Sequence, residues 1–349
     1  MHVIVRSAQT NLERYAKIFI QELRPYTFIL FGFHVCIGFA YAWKEAGVGT
    51  FTNAASLMQV HGWVLLGCLT ILAAWYVVSV AVNDISDEAI DAINMKNAND
   101  RPLQNGSATR KELKILVVFM VATSVFISAL MGLMLLLLTI GMLIVSWAYS
   151  SRPLQLSHRG VVAPLILPVG YVLFPMLMGP VVYGVEFSRQ YGMLVCGLYA
   201  VFVSRVMLKD FRDIVGDRTH NKKTFLLQTS HVFVCWSSMV FCVVGAVLVA
   251  VALSIYPIYW LTLGIITVLL VLGISQLSVI YKLRIWKTIK PHLSWYGRYL
   301  SLISATVFAV ILFATQSVDM LTYIVLLGII MLATIINYRM SYITTKARL

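Results

Sequence analysis

The sequence predicts an all-α polytopic membrane bundle of about ten transmembrane helices around a central cavity, and three observations predict it. Hydrophobic residues make up 60% of the 349 and charged residues only 12%, a balance foreign to soluble globules. Apolar runs long enough to cross about 30 Å of hydrocarbon recur along the whole chain. Lys and Arg gather in alternate intervals between those runs, as expected of a chain that crosses a bilayer repeatedly.

The first element is the segment 1–25. Leu12, Tyr15, Ile18, Phe19 and Leu23 share one helical face, and no long apolar stretch precedes a cleavage signal. An amphipathic helix lying on the inner leaflet is therefore expected, followed by a single transmembrane domain over 26–349. Spans are expected near 26–43, 62–82, 113–130, 132–149, 162–184, 190–209, 231–254, 258–282, 299–315 and 320–337. Only Met131 and Gly132 signal a turn between the third and fourth. Of 27 basic residues, 25 lie in the amino-terminal segment, in the intervals around 83–114, 150–161, 205–224 and 282–298, or after Tyr338. Only Lys44 and Arg189 fall on the other side. An even number of spans with both termini cytoplasmic satisfies that alternation, in an inner membrane of bacterial or archaeal type. The net charge of +13 follows from the topology and points to no nucleic-acid partner.

The five cysteines, Cys36, Cys68, Cys196, Cys235 and Cys242, sit singly inside expected spans and read as small apolar packers. The seven histidines show no metal-ligand spacing. His34, inside the first span, reads as a hydrogen-bonded core residue or as part of a pocket wall.

Acidic residues carry the chemistry. Aspartates stand at 84, 87 and 91 and again at 210, 213 and 217, the same spacing repeated at an offset of 126 residues. Positions i, i+3 and i+7 share one face of a helix, so each triplet lines up three carboxylates whose repulsion calls for a cation. Solvated loop charge is the ordinary fate of acids between spans, yet chance rarely repeats one spacing at equivalent helix ends. Both triplets begin where a span ends on the cytoplasmic side, so they are able to face each other. Bases surround them. Arg101 follows the first triplet, Lys209 immediately precedes the second, and Arg218, Lys222 and Lys223 trail it. Carboxylates with Mg²⁺ and closing bases form a site for a diphosphate, because Mg²⁺ shares its oxygen ligands between one or two carboxylates and phosphates.

The pattern N-D-x-x-D-x-x-x-D over 83–91 with Arg101-Pro102 after it, the Y-S-S-R-P-L segment 149–154, and K-D-x-x-D-x-x-G-D over 209–217 with Lys223-Thr224 behind it resemble the UbiA superfamily of intramembrane prenyltransferases. The likeness runs from Arg24-Pro25 to about Thr224. That family typically has nine spans, so a tenth here is a departure confined to the carboxyl-terminal end. The resemblance implies Mg²⁺-dependent ionisation of a polyprenyl diphosphate and capture of the allylic cation by an acceptor, either an aromatic or quinone precursor or a glycerol phosphate lipid. It implies that Asn83, Asp84, Asp87, Asp91, Asp210, Asp213 and Asp217 hold metal, and that Asn83, Arg24, Arg101, Lys209, Arg152 and Lys223 bind the diphosphate or acceptor. Tyr149, and less directly Tyr26, would face the cation with their rings. Arg152, Arg159 and Arg205 are candidates for an acid group on the acceptor, or plain positive-inside charges.

Two other readings remain at this level. Intramolecular capture would make the chain a terpene cyclase with no acceptor. A cation-coupled transporter would place carboxylates at the midplane of broken helices, whereas no Asp or Glu interrupts the centre of any expected span.

Overall fold

The computed structural model describes residues 2–48, 54–95, 98, 101–255, 259–283 and 286–315. Among them, seven helices are long and apolar enough to cross a membrane. The expected tenth span at 320–337 lies outside the described residues.

The chain opens with α1 (His2–Leu23), and α2 (Pro25–Glu45) is the first span. Pro25 disfavours the helical region for Arg24, which sits left-handed at φ 42° and turns the chain sharply between the two helices. Ile18 is fully buried against Ala74, Val77, Leu113 and Leu116, while Leu12 on the same expected face is exposed. α1 is thus docked on the bundle through its second half, with Arg14 bonded to Glu112 at 2.8 Å.

The second span is the long helix α3 (Ala54–Ser86), followed by the short α4 (Glu88–Asn94). α5 (Arg110–Met131) starts at a capping box in which the Thr109 hydroxyl accepts from the Glu112 N–H and the Glu112 carboxylate accepts from the Thr109 N–H. It ends at Gly132, whose φ of 136° lies in territory closed to residues with a Cβ, and α6 (Leu133–Ser150) follows at once. The division expected there from one glycine is present.

The fifth span joins α7 (Val162–Pro168) to α8 (Phe174–Tyr183) through a π turn at Val169–Leu173. Pro168 and Pro175 bracket that turn, and prolines lack the N–H that a regular helix needs. The carbonyl of Tyr171 in the turn lies 2.7 Å from His34 Nδ1, and the other ring nitrogen lies 3.0 Å from Ser304 Oγ. His34 is a hydrogen-bonded core residue.

α9 (Arg189–Met207) runs into α10 (Asp210–Thr219), α11 (Phe225–Gln228) follows, and α12 (His231–Leu253) and α13 (Tyr259–Lys282) are the next long helices. α14 (Trp286–Thr315) begins earlier than expected. Its first half, expected as loop from charge alone, is helical, and Arg298 is buried there with its guanidinium 5.0 Å from the centre of the Trp295 ring.

Glycines let the helices approach closely, as small residues do where lipid gives helices no hydrophobic reason to associate. A Cβ built on Gly38 of α2 would lie 2.4 Å from the Met176 carbonyl oxygen of α8, and one on Gly197 of α9 would lie 2.9 Å from the Gly245 carbonyl oxygen of α12. The outer surface carries large apolar side chains, with Trp63, Phe126 and Leu130 each more than 60% exposed, which only a hydrocarbon environment tolerates at this density. Cys68, Cys235 and Cys242 are buried and free, in keeping with packing roles.

Gly38→Val is expected to destabilise the protein by about 3 kcal/mol or more, because backbone opposes the new side chain. Gly141→Ala, with nothing within 4 Å of the added methyl, is expected to leave the midpoint of thermal unfolding in detergent unchanged within error or slightly raised. A Gly38→Val midpoint equal to wild type refutes the close α2–α8 crossing.

Candidate active site

The first aspartate motif does not lie on one unbroken helix. α3 stops at Ser86, and Asp87 occupies the junction before α4 with φ −101° and ψ 14°. Hydrogen bonding is nonetheless carried through the bend. The Asp87 N–H donates to the Asn83 carbonyl at 2.8 Å and the Asp91 N–H to the Asp87 carbonyl at 2.8 Å. The three carboxylates therefore stay together and buried, at 3%, 6% and 8% exposure.

Each carries its own bases. Asp84 accepts from Arg24 Nη2 at 3.0 and 3.1 Å and from Arg101 Nη1. Arg24 reaches it because of the turn that Pro25 imposes. Arg101 also lies 2.9 Å from Asp91 and is itself buried. Asp87 accepts on Oδ2 from Asn83 Nδ2 at 3.0 Å and from Lys222 Nζ at 2.7 Å, and its Oδ1 lies 3.3 Å from His158 Nε2. Burial alone would raise the Asp87 carboxyl, but His158 and Lys222 outweigh it and hold it well below the usual carboxylate range.

The second motif lies on α10. Asp213 receives both nitrogens of the adjacent Arg212 at 2.7 and 2.8 Å. Burial would raise this carboxyl too, and the Arg212 guanidinium brings it below its ordinary value. Lys209 donates to the Tyr149 hydroxyl at 2.9 Å, with its ammonium 5.6 Å from the centre of that ring. Asp217 Oδ1 is buried without a hydrogen bond, and Lys222 Nζ stands 4.0 Å away.

What draws the motifs together is a contact between their two short helices. The Gly216 N–H donates to Asn94 Oδ1 at 2.7 Å, and a Cβ on Gly216 would stand 2.7 Å from the Asn94 side chain and the Ile90 carbonyl oxygen. The glycine in K-D-x-x-D-x-x-G-D is required by that approach of α10 to α4. Asn94 has no place in the sequence reading, although it follows Asp91 by three residues and so shares its helical face.

Negative charge exceeds compensation here. Burial pushes Asp91 up to about 6, the Arg101 charge resisting and Asp84, Asp213 and Asp87 adding to the rise. Burial likewise pushes Asp210 up to about 6 and Asp217 up to about 7, with Asp213 contributing to both. Among the described residues no three His, Cys, Asp or Glu side chains are already gathered as a metal cage, and bases hold the Asp84 and Asp87 oxygens. Even so, the donor set suits a hard cation. It is all oxygen, the buried Asp217 Oδ1 accepts no hydrogen bond, and burial raises three of the carboxyls, a rise that added positive charge would oppose.

Other expected residues are placed elsewhere. Arg152, Lys223 and Arg218 are exposed, and Arg159 donates to the Leu154 carbonyl of its own loop at 2.7 Å. Arg205 lines a small pocket with Leu198, Phe202, Leu300 and Ser304, one helical turn before Lys209. The Tyr26 side chain lies outside the described residues. His158 was not foreseen, and only its proximity to the 149–154 segment could have drawn attention to it.

A model of the UbiA prenyltransferase family matches residues 46–293. The bacteriochlorophyll synthase 33 kDa chain of Cereibacter sphaeroides is 25% identical over 70% of this chain and 78% of its own length. Digeranylgeranylglyceryl phosphate synthase of Pyrococcus abyssi is 26% identical over 60% of this chain and 67% of its own. Among solved structures, a UbiA homolog from Archaeoglobus fulgidus bound to GPP and Mg²⁺ superposes with a TM-score of 0.58 at 18% identity, covering 84% of this chain and 99% of that one.

Gly216→Ala is expected to lower the affinity for Mn²⁺, read by electron paramagnetic resonance, by about tenfold, since displacing positioned ligands by an ångström is costly. Wild-type Mn²⁺ binding in that variant refutes the role given to the α4–α10 contact.

Proposed function

The chain belongs to the UbiA prenyltransferase family, and from that membership we propose that it transfers a polyprenyl group from its diphosphate to an acceptor, with Mg²⁺, at the cytoplasmic mouth of the bundle. One observation carries the reading: two aspartate triplets, 126 residues apart, pressed together by Gly216 against Asn94 and ringed by Arg24, Arg101, Lys209 and Lys222. Charge distribution along the chain supports cytoplasmic termini and an inner membrane of bacterial or archaeal type.

In this reading Asn83, Asp84, Asp87, Asp91, Asp210, Asp213 and Asp217 hold the metal. Bound Mg²⁺ would neutralise the charge that grows on the departing diphosphate. Arg101, buried, and Arg24, half-buried, already stand beside Asp84 and take the diphosphate oxygens from one side, and Lys209 takes them from the other. Tyr149 keeps its ring beside the reacting carbon, its hydroxyl turned to Lys209. The prenyl tail is hydrocarbon and lies among the apolar walls of the bundle, where water is too scarce to quench an allylic cation.

The acceptor is an aromatic or quinone-type ring or a glycerol phosphate lipid. Relatives named for a pigment and for a glyceryl phosphate are similar to this chain to nearly the same degree, so the choice belongs to experiment. Purified protein incubated with prenyl diphosphates of several lengths, with and without each acceptor class, is expected to yield a prenylated acceptor by mass. A cyclised hydrocarbon or terpene alcohol formed with no acceptor overturns transfer and leaves the ionising site in place.

Asp84→Ala and Asp210→Ala are each expected to abolish Mg²⁺-dependent diphosphate release, as is chelation of the metal, while the protein remains extractable. Release at the wild-type rate in either variant rejects the two-motif site. Arg101→Ala is expected to cost about 2 to 3 kcal/mol in kcat/KM for the prenyl diphosphate. An altered acceptor dependence with an unchanged response to prenyl diphosphate reassigns Arg101 to the acceptor.

A further inference from the structure

Two loops reach Asp87, and a two-residue sheet aligns them. Strand β1 (Arg159–Gly160) pairs in parallel with β2 (Lys223–Thr224), Arg159 opposite Lys223 and Gly160 opposite Thr224. That register sets the residues immediately before each strand, His158 and Lys222, side by side, and both end on the same carboxylate, at 3.3 Å and 2.7 Å.

The local sequence builds this arrangement deliberately on both sides. After α10 the chain reverses at Asn221, left-handed at φ 53°, a conformation asparagine accepts more readily than most residues. The Lys222 N–H then donates to the Asp217 carbonyl at 2.8 Å, which brings its side chain back over both motifs. Across the sheet, Gly160 at φ 51° passes so near Gln228 that a Cβ would overlap its amide oxygen. Neither loop can shift alone without breaking the pairing.

We infer that the β1–β2 pair is a clasp whose two bases exchange partners: His158 and Lys222 hold Asp87 in the empty site and hold the diphosphate in the loaded one. A cation bound to Asp87 would compete with His158 and Lys222 for the same two oxygens and would repel the Lys222 ammonium. With a cation there, His158 and Lys222 would be freed to take another acceptor, and a diphosphate bound beside the cation would supply one. The pairing keeps the two bases adjacent throughout, so the exchange costs little reordering of either loop. In the empty site the clasp also protects a buried carboxylate that would otherwise lack compensation. This assignment rests on the diphosphate reading above and names His158 and Lys222, in place of the exposed Lys223, as its further ligands.

Partner exchange has a signature that a purely structural role lacks: metal and diphosphate binding should move in opposite directions. Two titrations on detergent-purified full-length protein test it, Mn²⁺ alone by electron paramagnetic resonance and inorganic diphosphate at saturating Mg²⁺ by calorimetry. His158→Gln and Lys222→Gln are each expected to bind Mn²⁺ several-fold more tightly, because a competitor for Asp87 has gone, and to bind diphosphate about tenfold more weakly. Lys222→Arg, which keeps the charge and serves should Lys222→Gln not fold, is expected to restore diphosphate binding to within about threefold. Metal and diphosphate affinity falling together, or neither changing, overturns the exchange. Wild-type protein that binds no diphosphate at any metal concentration overturns the functional reading itself, so the two failures are distinguishable.

Discussion

Six carboxylates crowd one end of a bundle of apolar helices, and the contact of Gly216 with Asn94 makes the crowding as tight as it is. Taking a single carboxylate out of water costs several kcal/mol even after relaxation. The surrounding architecture answers that cost. Arg24 accepts a left-handed backbone to reach Asp84, Arg101 is buried between Asp84 and Asp91, and Lys222 is folded back over Asp87 and Asp217. Three separate stretches of chain converge because the negative charge is there to be met.

Compensation remains incomplete, since burial raises the Asp91, Asp210 and Asp217 carboxyls above their ordinary range despite the bases around them. A site neutralised fully by its own bases would have little use for a divalent cation. A site with no bases would not hold together before the cation arrived. The observed mixture, with the first motif largely paired and the second partly bare, lies between those extremes and suits a protein that must fold first and bind metal and an anion later.

The scaffold serves this end by being rigid where helices meet. Gly38 against Met176 and Gly197 against Gly245 bring helix backbones into direct contact, and the π turn at Val169–Leu173 is tied to α2 and α14 through His34. Asp84 lies in the last turn of the long α3, Asp91 on the short α4 after it, and Asp210, Asp213 and Asp217 on α10 just after α9, whereas Arg101 and Lys222 lie outside the helices. The carboxylates proposed to hold metal thus inherit the stiffness of the bundle, and the bases proposed to meet an anion are set on its connections.

Much of this was legible in the chain because the signals are local. A span is a run of apolar residues, and the spacing of Asp210, Asp213 and Asp217 needs only the pitch of a helix to put them on one face. Gly132 marked a helix boundary by itself, since few conformations are open to any other residue there. Tertiary structure decided what depends on distant partners. The bend at Asp87, the helical first half of α14, the meeting of Asn94 with Gly216, and the choice of Lys222 and His158 over the exposed Lys223, Arg152 and Arg218 all turn on where loops close and which strand registers with which. Composition in a basic cytoplasmic loop is nearly uniform, so residue type cannot say which base points inward; only the pairing of Arg159 with Lys223, and the reversal at Asn221, select the one that meets a carboxylate.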